Sequence, residues 1–245
     1  MLLVMNEFFY LFRWQLLRMK PVLPLYLIVQ TLLAAGIVIG FSYLIPNIDD
    51  TTALYLTTGA PTIILLSIGL VFLPQGVAET RADGTFTYML SLPLPRLYFV
   101  FVEAIIWLLI SFPGTFIALF VASLRFDLQI TYSYKSIFPF ILIGLTAIGI
   151  GYTIALWLRP IVAELISQVL IFGILLFSPI NFPSDRLPNW LVKLHEFLPI
   201  QYMAESIRAT LAPNDFEINR FGLLIIGGWC VLSFVMCYFA ITKRN

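Results

Sequence analysis

Apolar residues run along this chain in six blocks of about the length of a membrane span, separated by short polar or proline-rich stretches. A transmembrane helix needs roughly 20 mostly apolar residues. The blocks fall at about 21–45, 54–77, 97–124, 137–158, 161–177 and 221–241, and each predicts a spanning helix. Pro61 and Pro74 bend or end the second.

Two further stretches are apolar on one side only. Residues 1–20 place Phe8, Leu11, Trp14 and Leu17 on one helical face and supply charge from Arg13, Arg18 and Lys20. That pattern predicts a helix lying in the membrane interface. With no basic run before the apolar part and no small-residue cleavage site, it does not read as a signal peptide. Residues 178–211 carry Pro179, Pro183, Pro188 and Pro199, so no single helix passes through them. Two short amphipathic pieces lie between the prolines. One groups Trp190, Leu191, Leu194 and Phe197; the other groups Ile200, Met203, Ala204, Ile207 and Leu211. Each is too short to span and too apolar for a solvated loop. The stretch therefore predicts a re-entrant hairpin, held in protein or lining a cavity. Within its second piece Glu205 and Arg208, one turn apart, are expected to pair.

Composition agrees with the blocks. Of 245 residues 60% are hydrophobic and 11% charged, and the mean hydropathy is +0.97. Ordinary soluble domains carry about 25% charged residues. The expected fold class is all-α and membrane-embedded, a single transmembrane domain over 1–245. A net charge of +1 gives no reason to expect a nucleic-acid partner. Cys230 and Cys237 are seven residues apart on one helix. That spacing is about 10 Å, and a disulfide tolerates at most about 7 Å, so they read as packing thiols.

Six spans put both termini on one side. Placing the termini in the cytoplasm gives Arg13, Arg18, Lys20, Arg81, Arg96, Arg159, Lys243 and Arg244 inside. Arg125, Lys135, Arg186, Lys193, Arg208 and Arg220 then lie outside. The inner set sits tighter against the spans, which favours this orientation. The loop at 78–96 is then cytoplasmic and the hairpin external. In that loop Thr80 or Asp83 is a candidate cap, and Gly84 marks a turn passing into a short amphipathic run closed by Pro93. A short helix held parallel to the membrane offers a rigid knob to a soluble partner. Arg81 is read there as an exposed charge worth about 1 kcal/mol or less. Gly36 and Gly40 form a GxxxG, and with Ala147 and Gly151 they are candidates for close helix contacts. Glu103 and Glu164 are carboxylates within or near spans, candidates for a polar contact in the bundle or a pathway. Glu164 also suits a helix N-terminus. His195, the single histidine, reads as interfacial.

Ser178-Pro179, Leu187-Pro188 and Leu198-Pro199, with Tyr202 and Arg208, resemble the C-terminal signature of ABC-2 type transporter permeases. The inner loop resembles that family's coupling region, with Glu79, Arg81, Gly84, Thr85, Leu90 and Pro93 in its places and Asp83 beside them. Thr87 departs from it, standing where members often carry an acid. The resemblance implies the membrane subunit of an ATP-driven exporter in a prokaryotic inner or plasma membrane. The cargo would be an amphiphilic drug, peptide, lipid or glycan. It implies a homodimer or heterodimer of permeases with two ATPase subunits. It makes Pro179, Pro188, Pro199, Tyr202, Glu205 and Arg208 parts of an external gate. This chain holds no GxxxxGK[ST] loop, so ATP and magnesium are expected on a separate subunit. No HExxH, Cys/His cluster or GxSxG is present, so no catalytic or metal residues are expected and an intramembrane enzyme is disfavoured. A membrane scaffold without transport activity remains the alternative.

Overall fold

The computed structural model describes residues 2–45, 48–126 and 134–242, and side chains from Glu7 onward. Asp127, Lys243 and Arg244, which enter the topology reading, lie outside the described residues. Among the described residues the fold is helical, without strands. Helix α1 is Leu2–Met19. Six helices long and apolar enough to cross a membrane fall where hydropathy predicts them: α2 (Leu23–Leu44), α3 (Asp50–Ala82), α5 (Arg96–Phe126), α6 (Tyr134–Trp157), α7 (Pro160–Phe177) and α10 (Arg220–Thr242). The short helices are α4 (Thr85–Ser91), α8 (Asn189–His195) and α9 (Pro199–Leu211).

Local chemistry sets the boundaries. Asp49 caps α3, accepting from the backbone N–H of Thr52 at 3.1 Å and the hydroxyl of Thr51 at 2.6 Å. Those bonds hold its carboxyl down to about 2. Pro160 and Pro199 open α7 and α9, where a missing N–H costs nothing. The expected stop of the second span at Val77 is overturned. The helix continues through Ala78–Ala82, a stretch with no helix breaker, so its charged residues form its last turns. Neither Pro61 nor Pro74 ends it. A π-helical stretch, Ile68–Phe72, lies just before Pro74 and takes up the irregularity in the hydrogen-bond ladder.

Helix α3 is the axis of the bundle; the apolar window that qualifies it as a span is 94% buried. Helices α5 and α6 flank it, α10 lies along α6, and α2 lies along α5. Helix α7 packs on the second half of α3, and α9 packs on its first half and on α10. Helices α2, α7 and α10 leave most of their apolar surface uncovered.

The α3–α6 crossing depends on small residues. A Cβ built on Gly151 would lie 1.8 Å from the Gly69 carbonyl oxygen, and one on Gly69 would lie 2.4 Å from the Ala147 carbonyl carbon. Ala147 and Gly151 thus make the close contact expected of them. Gly36 and Gly40 do not: nothing lies within 4 Å of a Cβ at either, because this side of α2 turns away from the bundle.

Two apolar faces also differ from expectation. On α1 the inward residues are Phe8, Leu11, Gln15 and Met19, while Trp14 and Leu17 point outward. On α8 only Leu191 and His195 are buried; Trp190 and Leu194, and Phe197 just after the helix, are exposed. Helices lying against both protein and lipid carry two apolar faces, and periodicity does not say which is which.

Gly151→Ala should destabilise the bundle by about 1–3 kcal/mol, because the added methyl meets backbone rather than a yielding side chain. Gly36→Ala should gain about 0.5–1 kcal/mol from helix propensity. Unfolding of the two purified variants in a denaturing-detergent titration checks the contrast. Equal midpoints would mean that the crossing tolerates separation.

Candidate functional site

At one end of the bundle the loop between α3 and α5 is built from its arginines. The Nη1 of Arg81 donates to the carbonyls of Ala155 and Leu158, the latter at 2.7 Å, in the last turn of α6. The Nη1 of Arg96 donates to the Ile241 carbonyl at 2.9 Å, in the last turn of α10. Both cations thus meet the negative ends of helices, where carbonyls lack intrahelical donors. Arg81 is therefore not a fully exposed charge but a half-buried cap.

Asp83 accepts from the Thr85 backbone N–H at 2.8 Å and so starts α4. Thr80 bonds within its own helix instead, to the Val77 carbonyl. Gly84 has φ +82°, the left-handed conformation that a side chain resists. From that start α4 buries Phe86 and Met89, and Leu90 packs half-buried against the core rather than facing outward. Thr87, Tyr88 and Ser91 form the outward face, with Glu79 and Pro93 exposed nearby. Helix α1 closes over this unit. Its Phe8 ring meets Tyr98 edge-on at 5.9 Å, and the Gln15 amide nitrogen lies 3.9 Å from the Met89 sulfur.

Beside the loop, Glu103 is buried, with Tyr152 donating to one carboxylate oxygen and Arg18 Nη2 4.0 Å from the other. It joins α1, α5 and α6 as a bundle contact and lines a cavity of about 190 Å³ with Arg18, Glu79, Asp83 and Trp107. Glu164 stays exposed on α7 and enters no such contact.

At the opposite end the hairpin is stitched to the bundle through freed carbonyls. His195 is buried, and its Nε2 donates to the Phe177 carbonyl at 3.0 Å, closing α8 onto the end of α7. Tyr202 donates to the Glu196 carbonyl at 3.0 Å, and Trp229 of α10 to the Phe197 carbonyl at 3.1 Å. Gly222 leaves room for the Tyr202 ring, which a Cβ there would meet at 2.8 Å.

Arg208 does not pair with Glu205. Its Nε donates to Thr58 Oγ1 at 3.3 Å and its Nη2 to the Ile180 carbonyl at 2.8 Å. Its guanidinium carbon stands 3.8 Å from the centre of the Tyr55 ring. Burial brings its pKa down to about 10. Glu205 instead accepts from Gln201 at 2.8 Å. Pro188 directly precedes α8, Pro199 opens α9, and Pro179 lines the cavity beside Arg208.

A family model described as ABC-2 type transporter matches residues 6–212, from α1 through the end of α9. The chain belongs to the ABC-2 type transporter family. It is the permease component of a transporter and a multi-pass membrane protein. No curated relative matches it. The family match takes in both ends of this ABC-2 permease just described.

Sequence reasoning finds the loop and the hairpin but misses their partners. Tyr152 and Arg18 on Glu103, the Arg96 cap, and the Tyr55 and Thr58 contacts of Arg208 join residues far apart in the chain. One local signal was present: Gln15 interrupts the inward face of α1, as a polar residue with a specific contact does.

Arg81→Glu should cost about 2–3 kcal/mol, since it removes charged hydrogen bonds and sets a carboxylate against helix-end carbonyls. Thermal unfolding of the purified variant measures this, and an unchanged midpoint would remove the capping role. Asp83 titrates separately. Bonds from the Thr85 N–H and then its hydroxyl hold the Asp83 carboxyl below its ordinary range. Its contribution is therefore complete above about pH 4 and is lost as pH falls through the depressed value. Protection of the Thr85 amide, measured against its intrinsic exchange rate at each pH, should fall only in that acid window.

Proposed function

We propose that this permease is the membrane subunit of an ATP-driven exporter whose ATP and magnesium are bound by two separate ATPase subunits. The carrying observation is α4. It is a short helix seated on Phe86 and Met89, started by a left-handed glycine, and it turns Thr87, Tyr88 and Ser91 away from the chain. Arg81 and Arg96 tie its flanks to the ends of α6 and α10. A push on α4 is thereby delivered to several spans at once. Helix α1, resting on α4 and joined to Glu103 through Arg18, forms a second lever.

In this reading the α4 end and both termini are cytoplasmic, in a prokaryotic inner or plasma membrane. The hairpin acts as the outer gate. Two permeases, alike or related, meet along the uncovered apolar helices, and an amphiphilic drug, peptide, lipid or glycan passes between them. The ties of the hairpin to α7 and α10, and the Tyr202 bond within it, suit a gate that moves as one piece.

Gly84→Val tests coupling. No atom crowds a Cβ at this position, so the variant is disfavoured by backbone conformation alone. Reconstituted with its ATPase, it should insert and assemble while export per ATP falls about tenfold or more, since a misplacement of about 1 Å spoils a positioned contact. Unchanged export per ATP would leave α4 a mere turn and remove the mechanism.

A further inference from the structure

At the hairpin end a cavity of about 320 Å³ opens, with Tyr55, Ser184, Glu205, Arg208, Phe216 and Glu217 in its walls. Arg208 is only 3% exposed. It bonds to a threonine hydroxyl and a backbone carbonyl, both neutral. Among the described residues no carboxylate comes within ion-pair distance of it. A buried guanidinium with neutral partners is costly unless an anion completes it. Two of its five N–H donors are used by those bonds, which leaves three for a ligand.

The same cavity holds two carboxylates in less enclosed places. Glu205 is half-buried and held by Gln201, and Glu217 is exposed on the segment leading into α10. A simple anion entering the cavity reaches Arg208 but faces both acids. A simple cation reaches the acids but faces Arg208. A molecule carrying opposite charges at its two ends satisfies both. The volume lies at the lower end of small-molecule sites, which suits a polar headgroup rather than a whole amphiphile.

We infer that this cavity binds a zwitterionic group, with a phosphate or carboxylate set against Arg208 and an ammonium set against Glu205 and Glu217. The Arg208 fork supplies charge-assisted hydrogen bonds to the anionic end. The Tyr55 and Phe216 rings, 3.8 and 5.4 Å from the guanidinium carbon, hold that fork in place. The same chemistry is offered by a zwitterionic lipid headgroup and by a soluble zwitterion. The site rests on the hairpin geometry alone and needs neither ATP nor a transport cycle.

The test uses the purified chain in detergent, without ATPase, followed by intrinsic tryptophan fluorescence on heating. The probes are soluble phosphoethanolamine, short-chain phosphatidylethanolamine, short-chain phosphatidylglycerol and ethanolamine. The two zwitterions should raise the midpoint in a saturable way, and the other two should not. A shift from the soluble zwitterion as well as the lipid marks headgroup chemistry as sufficient; a shift from the lipid alone assigns the site to a membrane lipid. Glu217→Gln, an exposed change that leaves the fold intact, should weaken zwitterion binding about tenfold and strengthen binding of inorganic phosphate. Arg208→Lys should abolish the zwitterion shift, and circular dichroism of that variant separates loss of the site from loss of the fold. Three results would overturn the proposal: no shift with either zwitterion, an equal shift with phosphatidylglycerol, or zwitterion binding unaffected by Glu217→Gln.

Discussion

A backbone carbonyl freed inside or at the edge of a bilayer must find a donor from the protein, because lipid supplies none. Among the described residues, several breaks in the regular helices are met in that way. Arg81 takes the last carbonyls of α6 and Arg96 that of Ile241 in α10. Within α5 the Gln30 amide adds a bond to the Ile110 carbonyl, and Gly114 gives it space that a Cβ would fill at 1.9 Å. His195, Tyr202, Trp229 and Arg208 take the carbonyls of Phe177, Glu196, Phe197 and Ile180 around the hairpin. Arg81, Arg96 and Arg208 are spent on that requirement.

The same requirement decides how stiff the two ends are. Were Arg81 a solvated charge, the loop after α3 would swing on its glycine and any force on α4 would be lost in loop motion. Capping α6 and α10 from that loop turns six residues of turn and one short helix into a plate fixed to spans on either side. At the other end, prolines alone fix only their own φ angles. Donors within it, Tyr202 and Arg208, and Trp229 of α10 convert the hairpin from a restricted chain into a packed element.

The spans were legible in the sequence because hydropathy over 20 residues reports a bulk property, and each observed span lies within a few residues of its expected position except where α3 runs on to Ala82. Gly84 was legible because a turn passing into a helix leaves few conformations open. The polar partners were not. Arg208 and Thr58 lie 150 residues apart, and Glu103 and Tyr152 lie 49 apart. No local periodicity encodes which helices meet. The faces of α1 and α8 were misread for a different reason. Lipid accepts Trp190 and Phe197 as readily as a protein core does, so an apolar stripe on a membrane helix marks a dry side without naming its neighbour.

That ambiguity gives the buried charges their structural use. Between membrane helices apolar contact carries little preference, and specificity falls to small residues and polar contacts. Helices α1 and α9 do not span and gain no position from length matching. Each is fixed by a buried ionisable group at its contact with the bundle, α1 through Arg18 on Glu103 and α9 through its own Arg208 on Thr58 and Ile180. An apolar residue at position 103 or 208 would fill space equally well and still leave these helices free to slide along the bundle. The cost of burying Glu103 and Arg208 is thus offset by a unique register for the two elements that lie at opposite ends of the bundle.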